Sequence, residues 1–201
     1  MQIYDDRHAL HRIPELELEL PKTQSYLKKT LSGLSCRVFS PFGSALCAWF
    51  DFGAQEAIAF RADADALPIQ ERSKENYASQ HLGKMHACGH DGHMAILLEL
   101  ARRLDGKQTL PWNILLVFQP AEETVGGGDR MVKEGCCQNP DVDYTIGLHV
   151  QPYMDVGTVE MRYGQLNASC DTVTIKVKGK AGHGAYPERG VDAIVAAAGV
   201  V

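Results

Sequence analysis

The densest group of reactive side chains in the chain is the run His86-Ala87-Cys88-Gly89-His90-Asp91-Gly92-His93. Imidazole and thiolate are the preferred ligands of borderline-soft ions such as zinc. The small residues Ala87, Gly89 and Gly92 let a tight loop approach an ion. In an extended segment Cys88 and His90, two positions apart, point to the same side. The spacing matches no standard structural zinc pattern. A His-rich surface loop around a buried cysteine accounts for the same residues, so this segment alone leaves both readings open.

Three further segments carry metal-type or acid–base groups. Gln119-Pro120-Ala121-Glu122-Glu123 follows the apolar run Asn113 to Phe118. Adjacent carboxylates point different ways, so one can bind a metal while its neighbour holds a water. Metal-assisted hydrolysis needs that division between a Lewis acid and a general base; a solvated acidic turn is the ordinary alternative. Arg61-Ala62-Asp63-Ala64-Asp65 also follows a strand-like run. There Asp63 or Asp65 can orient a ligand histidine, or serve as a turn or helix cap. His149, in Gly147-Leu148-His149-Val150, stands at the end of another apolar run; a single histidine of this kind is more often a satisfied core residue.

The elements that must position these groups alternate in type. Ser25 to Leu34 reads as the end of an N-terminal helix closed by Gly33, and Pro21 interrupts that helix. Ala45 to Asp51 and Ala57 to Arg61 read as strands. Asp91 is expected to cap a helix running to Leu104, with Met94, Leu97, Leu98, Ala101 and Leu104 on one apolar face. Asn113 to Phe118 is continuously apolar, as in a strand buried on both sides. Arg130 to Glu134 reads as a short helix and Tyr144 to Val150 as a strand. The rhythm predicts an α/β fold: a mostly parallel sheet flanked by helices on both faces. In such a sheet, ligands bind beyond the carboxyl ends of the strands, where these segments converge. After about Gln165 the texture changes. Thr172 to Val177 alternates like a half-exposed strand, a glycine-rich turn holds His183, and Val191 to Val201 reads as a helix. Residues 1–167 are therefore expected to belong to one domain and 168–201 to the start of a second, which the sequence leaves incomplete.

The 201 residues carry 20 Lys and Arg against 25 Asp and Glu, a net charge of −5. That balance argues against a nucleic-acid groove or a polybasic membrane surface. At 45% hydrophobic and 22% charged residues the chain can bury a core. No run approaches the ~20 apolar residues of a membrane span, and the first residues lack the apolar core of a secretory signal. A cytoplasmic setting is expected. The six cysteines (Cys36, Cys47, Cys88, Cys136, Cys137 and Cys170) are then expected as reduced thiols, all but Cys88 as small buried hydrophobes.

The motifs FRADADALPI, MHACGHDGHMA, FQPAEET with GGG and RMVKEG, IGLHVQP and GKAGHGAYPE occur in this order. An N-terminal pattern is formed by Arg7, Leu10, His11, Pro14, Glu15 and Leu16. Together they resemble the metal-dependent amidohydrolases that include hippurate hydrolase, N-acyl-amino-acid amidohydrolases and auxin-conjugate hydrolases, within the aminoacylase-like zinc-peptidase superfamily. The resemblance implies two divalent metal ions, zinc or manganese first and cobalt or nickel as alternatives. It implies Cys88, His90, Glu123 and His149 as metal ligands, with the Cys88 thiolate a candidate bridge, and Glu122 as general base. Asp63 falls at a position supporting the ligands. His183 matches a histidine of a lid domain that reaches toward substrate, often in the partner subunit of a homodimer. It further implies a last ligand histidine from a C-terminal segment that this sequence lacks. The substrate expected is a small N-acyl amino acid, with neither nucleic acid nor membrane as partner. A di- or tripeptidase of the same architecture, and an inactive metal-binding fragment, are the alternatives.

Overall fold

The structure is a computed structural model, describing residues 2–138, 140–166, 168 and 173–200. The chain divides into two compact units, Met1–Tyr153 and Met154–Val201. The division falls ahead of residue 168, where the change in sequence texture places it.

Among its described residues the first unit contains a five-stranded sheet in the order β1-β2-β4-β3-β5. The strands are β1 (Arg37–Phe39), β2 (Leu46–Phe50), β3 (Ala57–Asp63), β4 (Asn113–Gln119) and β5 (Tyr144–Gly147). The sheet is mixed. β4, β3 and β5 run parallel, whereas β2 is antiparallel to both β1 and β4. In the parallel half, Asp63 pairs with Gln119 and Arg61 with Gly147. The carboxyl ends of these three strands therefore finish at one edge and deliver residues 63–65, 119–123 and 147–149 together.

Among the described residues, the helices that flank the sheet are α1 (Gln2–His11), α2 (Pro21–Leu31), α3 (His90–Leu104) and α4 (Gly127–Lys133). Leu10, Leu27, Leu31, Met94, Leu97, Leu98 and Ala101 pack with Leu46, Phe50, Leu116 and Phe118 in the larger core. Met131 of α4 joins Ala45, Ala59, Leu115 and Val117 in a smaller one. Six successive residues of β4, Asn113 to Phe118, are buried, as a strand covered on both faces requires.

Several local expectations are corrected. Pro21 does not interrupt a helix but opens α2, where its missing N–H and fixed φ are suited to the first turn. The buried Glu15 carboxylate completes that turn by accepting from the Lys22 and Thr23 amides at 3.2 and 2.9 Å. α1 and β1, both short, lacked a periodic signal. Asp91 does not cap α3. The cap position is Gly89, in a left-handed conformation at φ 87°, and Asp91 lies inside the first turn with its carboxylate turned toward α1. β5 ends at Gly147, where its pairing with β3 ends.

Among the described residues of the second unit, a bridge joins Lys180 and Val191. α5 (Ala193–Ala198) is capped by Asp192, which accepts from the Ile194 and Val195 amides. Residues 173–177, expected in a strand, have irregular backbone with no partner strand among the described residues. Thr172 of that strand, and Cys170, lie outside the described residues.

Candidate metal centre

The site is assembled at the shared edge of β3, β4 and β5 and at the N-terminus of α3. The α3 turn is tight for a reason: a Cβ on Gly89 would stand 2.6 Å from Val150 Cγ2, and its φ disfavours other residues. This close approach brings residues 88–90 against residues 148–150. Cys88 Sγ lies 3.4 Å from His149 Nε2. His90 Nε2 lies 3.7 Å from Glu123 Oε1. One ligand atom each from Cys88, His90 and His149, and one each from His90, Glu122 and Glu123, fall within 4.8 Å of one another.

Hydrogen bonding decides which of these atoms are free. The Nδ1–H of His90 donates to the Asp65 carbonyl oxygen at 2.8 Å, which leaves the Nε2 lone pair bare. His149 donates through Nδ1 to the Val150 carbonyl at 2.6 Å, so its Nε2 is the acceptor facing the Cys88 thiol. His90 Nε2 and Glu123 Oε1 are both buried without a hydrogen-bond partner. Buried polar atoms left unpaired cost on the order of 1–3 kcal/mol each, so two of them facing one space fit a metal ion. His93 also forms a cluster with Asp63 and His90, but both its nitrogens are engaged. Nδ1 donates to Asp63 Oδ1 and Nε2 accepts the Val150 amide at 2.9 Å. His93 thus ties α3 to β3 and to the segment after β5.

Asp63 is fully buried, and its second oxygen accepts from Arg61 Nη1 at 2.9 Å while lying 3.5 Å from His90 Nε2. Burial would raise its carboxyl pKa, but the His93 bond and the His90, His93 and Arg61 charges outweigh that and hold it low. Asp65, one of two alternatives in sequence, has a larger structural part. Its side chain accepts the backbone amides of Glu122 and Glu123 at 2.9 and 3.1 Å. One aspartate therefore orients both His90 and the glutamate pair, which adjacency in sequence does not reveal. The glutamate loop is strained: Ala121 has φ 52°, and a Cβ at Gly127 would collide with the Pro120 carbonyl oxygen at 1.8 Å.

The site carries excess negative charge. Burial lowers the His90 pKa, yet bonding to Asp65 and the Asp63 charge raise it overall. The Cys88 thiol is pushed up to about 12, by burial first and then by Glu123. Both shifts describe a site that stabilises a cation, and a thiol that needs one beside it to ionise.

A second cluster supports the start of α3. His11 Nδ1 lies 2.9 Å from Asp91 Oδ2, which also accepts from Arg7 Nε at 3.2 Å, and His11 Nε2 lies 3.3 Å from Glu71. His86 is buried beside this group, and burial lowers its pKa to about 4. Sequence reasoning marked His11 only through the resemblance. Its partner Asp91 is 80 residues distant, so no local signal could join them. His183, in the second unit, is exposed in a turn where its Nδ1 accepts the Ala185 amide at 3.1 Å.

Residues 59–200 match the model of peptidase family M20/M25/M40. The chain belongs to this family. An uncharacterised hydrolase of Staphylococcus haemolyticus is 39% identical over 187 residues, covering 92% of this chain and 49% of that protein. N-acetyl-L-cysteine deacetylase of Bacillus subtilis is 39% identical over 204 residues, covering 100% of this chain and 48% of its own. A solved structure, a dinuclear metal-binding peptidase of the M20 family from Bacillus subtilis, superposes with a TM-score of 0.76 at 31% identity, covering 81% of this chain and 46% of that one. The chain thus spans about half the length of the curated relatives it matches. Among the described residues no helix is long and apolar enough to cross a membrane.

Proposed function

We propose that this chain, in a protein of its relatives' length, hydrolyses the amide bond of small N-acyl amino acids at a centre of two divalent metal ions. The observation that carries this reading is the buried, unpartnered His90 Nε2 and Glu123 Oε1, set beside the Cys88 Sγ and His149 Nε2 pair. These four residues would hold the ions, Cys88 through a thiolate, with zinc or manganese the favoured metal. When bound, the ions supply Lewis acidity and lower the pKa of a bound water. Glu122 takes the proton of the attacking water and passes it to the leaving amine. Its exposure suits a group that must meet water, whereas Glu123 turns inward. Asp63 holds the charge and geometry around His90 and His93. The deacetylase relative supports N-acyl amino acids over di- or tripeptides as the substrate class.

The remaining assignments rest on the motif resemblance. His183, in the lid and dimerisation domain assigned from residue 168, donates to the developing oxyanion in a homodimer, a role in which one donor contributes about 10²–10³-fold. The enzyme is assigned to the cytoplasm.

The test compares Glu122→Ala with Glu123→Ala in a full-length protein, measuring N-acetyl-amino-acid hydrolysis and metal content by elemental analysis. Glu122→Ala should lose ~10²–10⁴-fold in kcat, the usual contribution of a general base, and keep its metal. Glu123→Ala should lose metal. Equal metal loss in both variants would overturn the division of roles between the two glutamates.

A further inference from the structure

A second group of sulfurs lies on the smaller-core face of the sheet, away from the proposed ligands. Cys47, in β2, is fully buried among Ala45, Leu115, Val117 and Met131. After α4, Gly135 turns the chain in a left-handed conformation at φ 82°, and the Cys136 amide bonds back to the Met131 carbonyl at 3.0 Å. That turn presses Cys136 into the core beside Cys47 and leaves Cys137 half-buried at the margin. The Cys136 and Cys137 sulfurs are 3.4 Å apart. Cys136 shares the smaller core with Cys47. All three are free thiols.

One sulfur is therefore flanked by two thiol groups. Hydrogen bonding from Cys47, then from Cys137, lowers the Cys136 pKa against the effect of burial. Cys137 is raised instead, by burial and by Cys136. Two adjacent thiols 3.4 Å apart, one of them half-buried at the margin, place a resolving sulfur next to any sulfenic acid formed on the other. None of these residues serves the proposed hydrolysis.

We propose that Cys136 and Cys137 form a reversible oxidation site, at which hydroperoxides convert the adjacent thiols into a vicinal disulfide. The Cys136 sulfur attacks one peroxide oxygen and the O–O bond breaks. A sulfenic acid forms, and the released hydroxide takes a proton to become water. The Cys137 sulfur then attacks the sulfenic sulfur, its S–H proton leaves with the departing hydroxide, and a second water is released. The two thiols together lose two electrons and two protons, and one hydrogen peroxide is reduced to two waters. Cys137 is the resolving thiol and not Cys47, because Cys47 is pinned in a strand paired on both sides, whereas Cys137 sits in a turn. Adjacent Cα atoms are ~3.8 Å apart, below the ~4.4–6.8 Å usual for disulfides. The bond is thus strained, and strained disulfides are the readily reduced ones.

The test treats the 201-residue protein with hydrogen peroxide, alkylates the remaining thiols, and maps tryptic peptides by mass. Cys136 and Cys137 share the peptide 134–162, Cys47 falls in 38–61 and Cys88 in 85–102. The expected result is a 134–162 peptide lacking two hydrogens and both alkyl groups, restored to the alkylated form by prior dithiothreitol. Cys137→Ser, at a half-buried turn position, should abolish that mass loss and leave Cys136 trappable by a sulfenic-acid reagent. Three outcomes overturn the proposal: full alkylation of 134–162 after peroxide, a cross-link between 134–162 and 38–61, or oxidation that dithiothreitol does not reverse.

Discussion

At the scale of single residues, proton placement governs the site. His90 and His149 each spend Nδ1 on a backbone carbonyl, and His93 spends both nitrogens, so three histidines of similar sequence setting take two different roles. The same logic makes the His11–Asp91 pair a determinant of stability. Asp91 bonding, chiefly, raises the His11 pKa above 6.5. Burial would raise Asp91, but His11, His86 and Arg7 hold it below 3.8. The His11 contribution is therefore full below pH 6.5 and is lost as pH rises through its higher folded value. The Asp91 contribution is present above pH 3.8 and is lost as pH falls through its lower folded value. Thermal melts of the metal-free protein should show Tm falling as pH rises above neutrality. His11→Gln should be less stable at mildly acidic pH and should show a flatter fall. A parallel pH dependence in the two proteins would remove His11 from this account.

At the scale of elements, the N-terminus of α2 shows how one buried carboxylate sets the path of a loop. Glu15 accepts two of the first amides of α2 while Pro21 needs no partner for its nitrogen. The segment Glu15 to Leu20 is thereby held between α1 and α2. Replacing a helix-capping acceptor by Ala costs ~1 kcal/mol. Glu15→Ala should therefore lower the urea midpoint by a corresponding amount, with Glu19→Ala, on the exposed side of the same segment, near neutral. Equal midpoints for the two variants would show that the Glu15 bonds contribute nothing net.

At the scale of the whole molecule, the four proposed ligands all fall in the first unit, within Met1–Tyr153. Arg162 is exposed in irregular backbone beyond it. Brief trypsin treatment should cut first after Arg162, since exposed irregular segments are the preferred cleavage sites. The fragment ending there should retain the divalent-metal affinity of the 201-residue chain, read by titration with zinc. Loss of that affinity on cleavage would place a necessary ligand in the second unit.

Much of the candidate site was legible in sequence because its parts are local. The apolar run of β4, the three- and four-residue spacing of α3, the His-Ala-Cys-Gly-His motif and the Glu-Glu dipeptide each report on neighbouring residues. So does the placement of Asp63 at the end of β3 and of Glu122 and His149 after β4 and β5. What tertiary structure alone decided is pairing across distance. The antiparallel addition of β1 and β2 to the sheet depends on partners many residues away, and β1 is too short to carry a pattern. Asp65 holding the Glu122–Glu123 amides spans 57 and 58 residues, and His11 holding Asp91 spans 80. The physical reason is that a hydrogen bond or thiol contact depends on a separation in space. Periodicity along the chain encodes which face is buried, and only the packed sheet and helices determine which polar atoms meet.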